Sequence, residues 1–164
     1  MVNQNLTRSA ASVQEALNHK GLECIVRELP QSTRTAIDAA TAIACDVSQI
    51  VKSLIFKTKT THRPMLILAS GPNRVDEKVI EGHVGEEITK ADADFAREIT
   101  GFAIGGIPPV GHKQKIDLIF IDEDLLKFDS VWAAAGTPNA VFNLQGIDLL
   151  EMTAGKVISI QFKI

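Results

Sequence analysis

Ile50-Val-Lys-Ser-Leu-Ile-Phe-Lys-Thr-Lys59 and Pro64-Met-Leu-Ile-Leu-Ala-Ser70 are the two most strand-like stretches of this 164-residue chain. The polar interval Lys59–Arg63 is of hairpin length, so the pair reads as two antiparallel strands. Alternate side chains of a strand share a face, which places Lys52 with Leu54 and Phe56, and Ser53, Lys57 and Lys59 with Val51 and Ile55. An ammonium among large apolar side chains is costly unless it is paired or reaches water. Two readings stay open. Either the strand is an edge and Lys52 snorkels to its end, or Lys52 is a cation aimed into a cavity, suited to a carbonyl oxygen or a phosphate.

Working outward, residues 8–20 carry a helical stripe of Val13, Ala16 and Leu17, with Ser9 or Ser12 as cap and Gly21 as stop. Residues 22–29 are strand-like and end at Pro30. Thr35-Ala-Ile-Asp38 resembles a capping box opening a helix to about Ala44. Its apolar positions Ala36, Ala39, Ala40 and Ile43 are mostly small, as close packing on a sheet requires. After the hairpin, Gly71-Pro72-Asn73 breaks the pattern, Val75, Val79 and Ile80 give a short helix, and residues 88–90 are extended. Asp92 caps a helix to about Ile99 that Gly101 stops. Residues 102–112 read as a strand running into a glycine–proline loop, residues 116–122 as a strand, and residues 122–127 as a turn or two of helix. There Asp122, Glu123 and Asp124 form a solvated acidic start. Strands at 130–134, 140–144 and 157–162 enclose a turn at 135–139 and a helix at 148–153. Short helices among many strands, without repeat or linker, predict one α+β domain over 1–164. Its expected form is a single mixed, mainly antiparallel sheet with short helices packed on it.

Composition narrows the function classes. With 45% hydrophobic and 23% charged residues the chain is an ordinary globular protein, and 17 basic against 20 acidic residues give a net charge of −3. That excludes gripping nucleic acid or an anionic membrane by bulk charge, though not through a local basic patch. Cys24 and Cys45 lack zinc or disulfide spacing and suit a reducing cytosol. His19, His62, His83 and His112 show no metal-ligand spacing, so no metal is expected. No apolar run reaches bilayer length, and the first residues lack a signal peptide's apolar stretch, so a soluble, cytoplasmic protein is expected. No GxSxG elbow surrounds a serine. Trp132 and the seven Phe are scattered and build no base-stacking platform.

Two further stretches stand out. Gly105-Gly-Ile-Pro-Pro-Val-Gly-His112 combines glycines, which let backbone N–H groups approach a ligand, with prolines that stiffen the loop. It is no nucleotide fingerprint, and alone it is either a site loop or an irregular crossover. His112 is correspondingly a site residue or an exposed loop histidine. Ala133-Ala-Ala-Gly-Thr-Pro-Asn139 is a tight turn or a backbone wall that a ligand touches.

Together and in this order, the lysine strand Ser48–Phe56, the loop from Gly101 through Gly105–Gly111, and the turn Ala135-Gly-Thr-Pro-Asn139 resemble the YbaK / prolyl-tRNA-synthetase-associated editing domains. Thr35-Ala-Ile-Asp-Ala-Ala40 resembles the helix opening that precedes that family's lysine strand. The resemblance implies a curved, mainly antiparallel sheet. It also implies hydrolysis of the ester joining a wrong amino acid to a tRNA 3′ adenosine, with neither cofactor nor protein nucleophile. By the same resemblance Lys52 is the site lysine, near the terminal phosphate or the ester carbonyl. Backbone groups of Gly106, Ile107 and Gly136 hold the aminoacyl moiety and the oxyanion, and water attacks. Ile43, Gly105, Ile107, Pro108, Val110, Gly111, His112, Ala134 and Ala135 then form the substrate pocket, whose apolar walls favour alanine or 2-aminobutyrate. The implied partners are mischarged tRNA(Pro) and prolyl-tRNA synthetase, with no role for membrane or DNA. Lys113 and Lys115 either meet acceptor-stem phosphates or are solvated. The alternative is a non-catalytic module of the same fold that binds aminoacyl-tRNA or a synthetase.

Overall fold

The computed structural model describes residues 5–161. In chain order it contains α1 (Arg8–His19), β1 (Val26–Glu28), α2 (Ala36–Ile43), β2 (Ile50–Thr58), β3 (Pro64–Ser70), α3 (Glu77–Val84), β4 (Ile88–Lys90) and α4 (Ala93–Thr100). There follow β5 (Leu118–Asp122), β6 (Val131–Ala134), β7 (Ala140–Leu144), α5 (Asp148–Thr153) and β8 (Lys156–Ile158). Short 3₁₀ turns at Val47–Gln49 and Glu123–Lys127 lead into β2 and out of β5.

The predicted hairpin is the centre of one mixed sheet. β2 and β3 pair antiparallel from Val51↔Ser70 to Lys57↔Pro64. The strand order is β1-β7-β6-β2-β3-β5-β8, with β4 paired to β2 beside that path. β1–β7, β6–β7 and β2–β4 are antiparallel, and β2–β6, β3–β5 and β5–β8 are parallel.

Alternation sorts the side chains of β2 and β3 between two packed faces. Val51 and Ile55, with Leu66 and Leu68, belong to the largest core, which Val13 and Leu17 of α1, Ala96 and Ile99 of α4, and Leu149 and Met152 of α5 complete. On the opposite face Phe56, Met65, Ile67 and Ala69 pack with Ile80 of α3. Ile50 packs there with Ala39 and Ala40 of α2 and with Trp132. The small residues of α2 thus do what their size predicts. Lys52 falls between the part of this face covered by α2 and the part covered by α3, which is why a charged residue is tolerated in an otherwise apolar row.

Some expectations differ from the structure. Residues 102–112 form no strand: Gly101, Gly105 and Gly111 adopt positive φ (82°, 98° and 80°), which breaks any regular ladder, yet residues 106–110 are buried. Only Val26–Glu28 of the 22–29 stretch pairs, with β7. The cap of α1 is Thr7, whose hydroxyl accepts the Ala10 N–H, and neither Ser9 nor Ser12. The last strand stops at Ile158, although Gln161 makes an isolated bridge to Val75; Phe162 lies outside the described residues. Cys24 is buried, Cys45 is half-buried, and both are free thiols. Among the described residues no helix is long and apolar enough to cross a membrane.

Candidate active site

The parallel seam between β2 and β6 is short. It holds Ile50↔Trp132 and Val51↔Ala133 and then opens, and β4 joins the same β2 strand only from Phe56. Residues 52–54 therefore lie at a gap where two parallel strands diverge, a place where sheets commonly receive ligands. A cavity of about 400 Å³ occupies this gap, closed by α2 on one side and by Ile104, Gly105 and Ile107 at its end.

Lys52 stands on its wall, half-buried. Its Nζ donates to the carbonyl of Asn73 at 2.7 Å, which leaves two of its three N–H bonds for a ligand. Burial pushes its pKa below the ordinary lysine range; Asp122 opposes this, and Lys90 and Arg74 reinforce it. The side chains of Arg34, Arg74 and Lys90 make no ion pair or hydrogen bond among the described residues. Arg34 borders the cavity, passing so close to Gly105 that a Cβ there would lie 2.7 Å from its Cγ. Lys52 and Arg34 thus line the cavity, and Arg74 and Lys90 are near enough to act on the charge of Lys52, so cations gather locally in a net acidic chain.

The three backbone groups expected to hold the aminoacyl moiety, those of Gly106, Ile107 and Gly136, differ in their hydrogen bonding. Gly106 N–H donates to Ala103 O at 3.0 Å and Gly136 N–H to Gly106 O at 2.8 Å, so two of these three N–H groups are committed within the protein. Their glycine identity serves packing: a Cβ on Gly106 would lie 2.9–3.0 Å from the Thr137 backbone, and one on Gly136 2.9 Å from Ser9 O. By contrast, the N–H groups of Gly105 and Ile107 form no hydrogen bond among the described residues, and both residues line the cavity. Ile107 is 5% exposed, and a buried N–H without a protein partner is rare.

Of the residues expected at the site, the cavity brings together Lys52, Ile43, Gly105, Ile107 and Ala134. It leaves out Gly106, Gly136, Pro108, Val110, Gly111, His112 and Ala135. Val110 and Ala135 turn into the main core. His112 is neither exposed nor at the cavity: its ring is hydrogen-bonded at Nε2 to Pro108 O, 2.7 Å away, tying the loop to itself, and burial lowers its pKa. Lys113 is exposed, and Lys115 pairs with Asp117 at 3.7 Å; neither approaches the cavity.

Sequence reading missed Arg34, which directly precedes the predicted cap Thr35, and Trp132, which lines the cavity while Arg27 lies 5.2 Å over its ring. Trp132 carried a signal: on β6 it alternates against Val131 and Ala133 and so faces α2 with Ile50. Among the described residues no three His, Cys, Asp or Glu side chains converge as metal ligands.

The aminoacyl-tRNA editing domain family matches residues 30–152, a span that holds Lys52, the loop and the later turn. A crystal structure described as a candidate trans-editing enzyme for prolyl tRNA synthetase is 44% identical, covers 97% of this chain and all of its own, and superposes with a TM-score of 0.90. The uncharacterized protein YwhH of Bacillus subtilis is 30% identical over 91% of this chain and 94% of its own length. The proline--tRNA ligase of Limosilactobacillus fermentum is 24% identical over 58% of this chain, which corresponds to 17% of that enzyme. The chain belongs to the aminoacyl-tRNA editing domain family and is a deacylating hydrolase of that class.

Proposed function

We propose that this protein removes a small non-cognate amino acid, alanine first, from tRNA(Pro), acting in trans to prolyl-tRNA synthetase in the cytoplasm. The observation that carries the reading is the pairing of Lys52 with the unpartnered N–H groups of Gly105 and Ile107 on one small cavity. The similarity to a candidate prolyl trans-editing enzyme and to proline–tRNA ligases supports the choice of tRNA.

An aminoacyl ester is already activated, so placement and charge stabilisation supply most of the needed acceleration. The aminoacyl side chain enters between Ile43, Ala39 and Trp132. The ester carbonyl oxygen points at the Gly105 and Ile107 N–H groups. Lys52, with Arg34, Arg74 and Lys90 around it, holds the negatively charged 3′ end. Water adds to the carbonyl carbon and gives a tetrahedral oxyanion that the two N–H groups stabilise. Collapse breaks the bond to the ribose oxygen, which leaves with a proton from the attacking water. The products are the free amino acid and a tRNA with its hydroxyl restored. Apolar walls that admit alanine exclude bulkier residues by size, the sieve that corrects a synthetase pocket's weak discrimination.

The test is a deacylation panel of Ala-, Ser-, Cys- and Pro-charged tRNA(Pro), with wild type, Lys52→Ala, and wild type in EDTA. Ala-tRNA(Pro) should be hydrolysed fastest, with EDTA without effect and Lys52→Ala slower by about 10²-fold or more. Intact substrates after incubation with micromolar wild-type protein would remove the catalytic reading and favour a binding module.

A further inference from the structure

The acidic run at the end of β5 does start a short helix, and Glu123 is exposed there, but its first residue is not solvated as the sequence suggests. Asp122 is 1% exposed. Its Oδ2 accepts the Ser70 N–H at 3.0 Å and the Asn73 Nδ2 at 2.8 Å, and its Oδ1 accepts the Asp124 N–H at 3.0 Å. A carboxylate taken out of water is costly unless donors surround it, and here three do. The Asn73 amide also donates to Asp124 Oδ2 at 2.8 Å.

All these bonds converge on the turn after β3. Ser70 adds a hydroxyl bond to Ser48 O at 2.7 Å, and the Asn73 N–H closes the turn onto Ser70 O at 2.9 Å. Gly71 presses against Val47 so closely that a Cβ would run into its carbonyl. A turn anchored on this many sides has one carbonyl that faces the active cavity's lysine: Asn73 O, which accepts Lys52 Nζ.

We propose that Asp122 is a positioning residue of this site, fixing the Asn73 carbonyl and through it the place of the Lys52 ammonium. Asp122 does not line the cavity, so its action on substrate runs through the lysine. The clamp solves a specific problem. Lys52 has a long, flexible stem, and burial together with Lys90 from β4 and Arg74 from the turn lowers its pKa. Asp122 from β5 is the opposing charge, and Asn73 is the fixed acceptor that stops the stem from swinging. Arg34 adds a further cation to the cavity lining. Without the clamp, the lysine would be less charged and less ordered at the place where the substrate needs both.

The catalytic consequence rests on the deacylase reading, and the structural one does not. The experiment therefore reads the lysine itself. Full-length protein carrying ¹³C-labelled lysine is titrated by NMR, with the Lys52 signal assigned by its loss in Lys52→Arg. In Asp122→Asn the Lys52 midpoint should fall by on the order of one pH unit, since the nearby opposite charge is gone. The basic limb of the kcat/KM profile on Ala-tRNA(Pro) should move with it. Asn73→Ala keeps the carboxylate but releases the turn. The Lys52 midpoint should hold, its signal should show greater mobility, and kcat should fall about tenfold with KM less affected.

A folded Asp122→Asn with an unmoved midpoint overturns the proposal. If that variant does not fold, Asn73→Ala decides: a lysine as ordered as in wild type, with unchanged kcat, overturns it equally. A moved midpoint in a protein that deacylates none of the tRNAs leaves the clamp standing and removes the deacylase reading. An active enzyme whose Lys52 ignores both substitutions does the reverse.

Discussion

Gly106→Ala separates a packing role from a donor role for the glycine loop. The added Cβ would lie 2.9–3.0 Å from the N, Cα and C atoms of Thr137, where ordinary contact begins at 3.4 Å. Backbone cannot swing aside as a side chain does, so the loop and the 135–139 turn must separate by 0.4–0.5 Å, the difference between those distances. The bond between Gly136 N–H and Gly106 O, 2.8 Å long, bridges the same two segments and lengthens with them. Overpacking costs about 1–3 kcal/mol and a weakened buried hydrogen bond about 1, so stability should fall by about 2–4 kcal/mol. For a chain of this size that lowers Tm by about 5–15 °C, measurable by calorimetry. The same shift carries Gly105 and Ile107, on either side of position 106, away from the developing oxyanion. A displacement of this order should lower kcat about tenfold while KM changes less. Alanine keeps the N–H group, so a direct-donor role predicts near-normal turnover at this position. A Gly106→Ala protein that melts and turns over like wild type would refute both the packing argument and the assignment of donors to its neighbours.

Two further changes probe the loop's lock and the cavity floor. Because burial holds His112 below the ordinary histidine pKa of about 6.5, the unfolded chain takes up a proton before the folded one does. Its contribution is complete above that pH and is lost as pH falls through it, so Tm should decline from pH 7.5 to 5, and His112→Gln should flatten that decline by up to one proton's worth of slope; an unchanged slope refutes it. Trp132→Ala removes the largest side chain on the cavity wall, and the rate on Pro-tRNA(Pro) relative to Ala-tRNA(Pro) should rise about tenfold or more. An unchanged ratio would show that size selection lies elsewhere.

The hairpin, the small-residue helix and the position of Lys52 were legible because each depends on local periodicity. Period-two alternation assigned Lys52 to the face of Leu54 and Phe56 before any partner was known, and the small residues of α2 announced a close contact with the sheet. The loop was not legible in the same way. Its glycines and prolines mark unusual backbone, but which N–H groups are free depends on contacts with residues 103, 136 and 137, and two of those residues are distant in sequence. Asp122 failed for a similar reason. An Asp-Glu-Asp run has the composition of an exposed helix start, and Glu123 is exposed as such a start should be. Only the pairing of β3 with β5 brings Asp122 beneath Ser70 and Asn73. His112 shows the limit from the other side, since a short-range bond to Pro108 O, four residues back, withdraws it from the site.

A net charge of −3 and a tRNA substrate are compatible because charge at this site is a matter of pairing. Lys59, Lys115 and Lys127 each have a carboxylate within 4 Å. Arg34, Arg74 and Lys90 have none among the described residues, and all three bear on the cavity or on Lys52. The acidic surplus therefore leaves the cations that count uncompensated, and the field at the cavity is set by them. A strongly basic protein would hold any tRNA, charged or not, through its phosphates and release it slowly. An enzyme that corrects rare errors gains from the opposite arrangement. Weak overall attraction with a few cations at one opening lets correct aminoacyl-tRNA leave and reserves tight contact for the 3′ end whose amino acid fits the cavity. On this view, Lys52 must be kept charged while half-buried in an apolar row, and the buried carboxylate of Asp122 is the opposing charge that favours it.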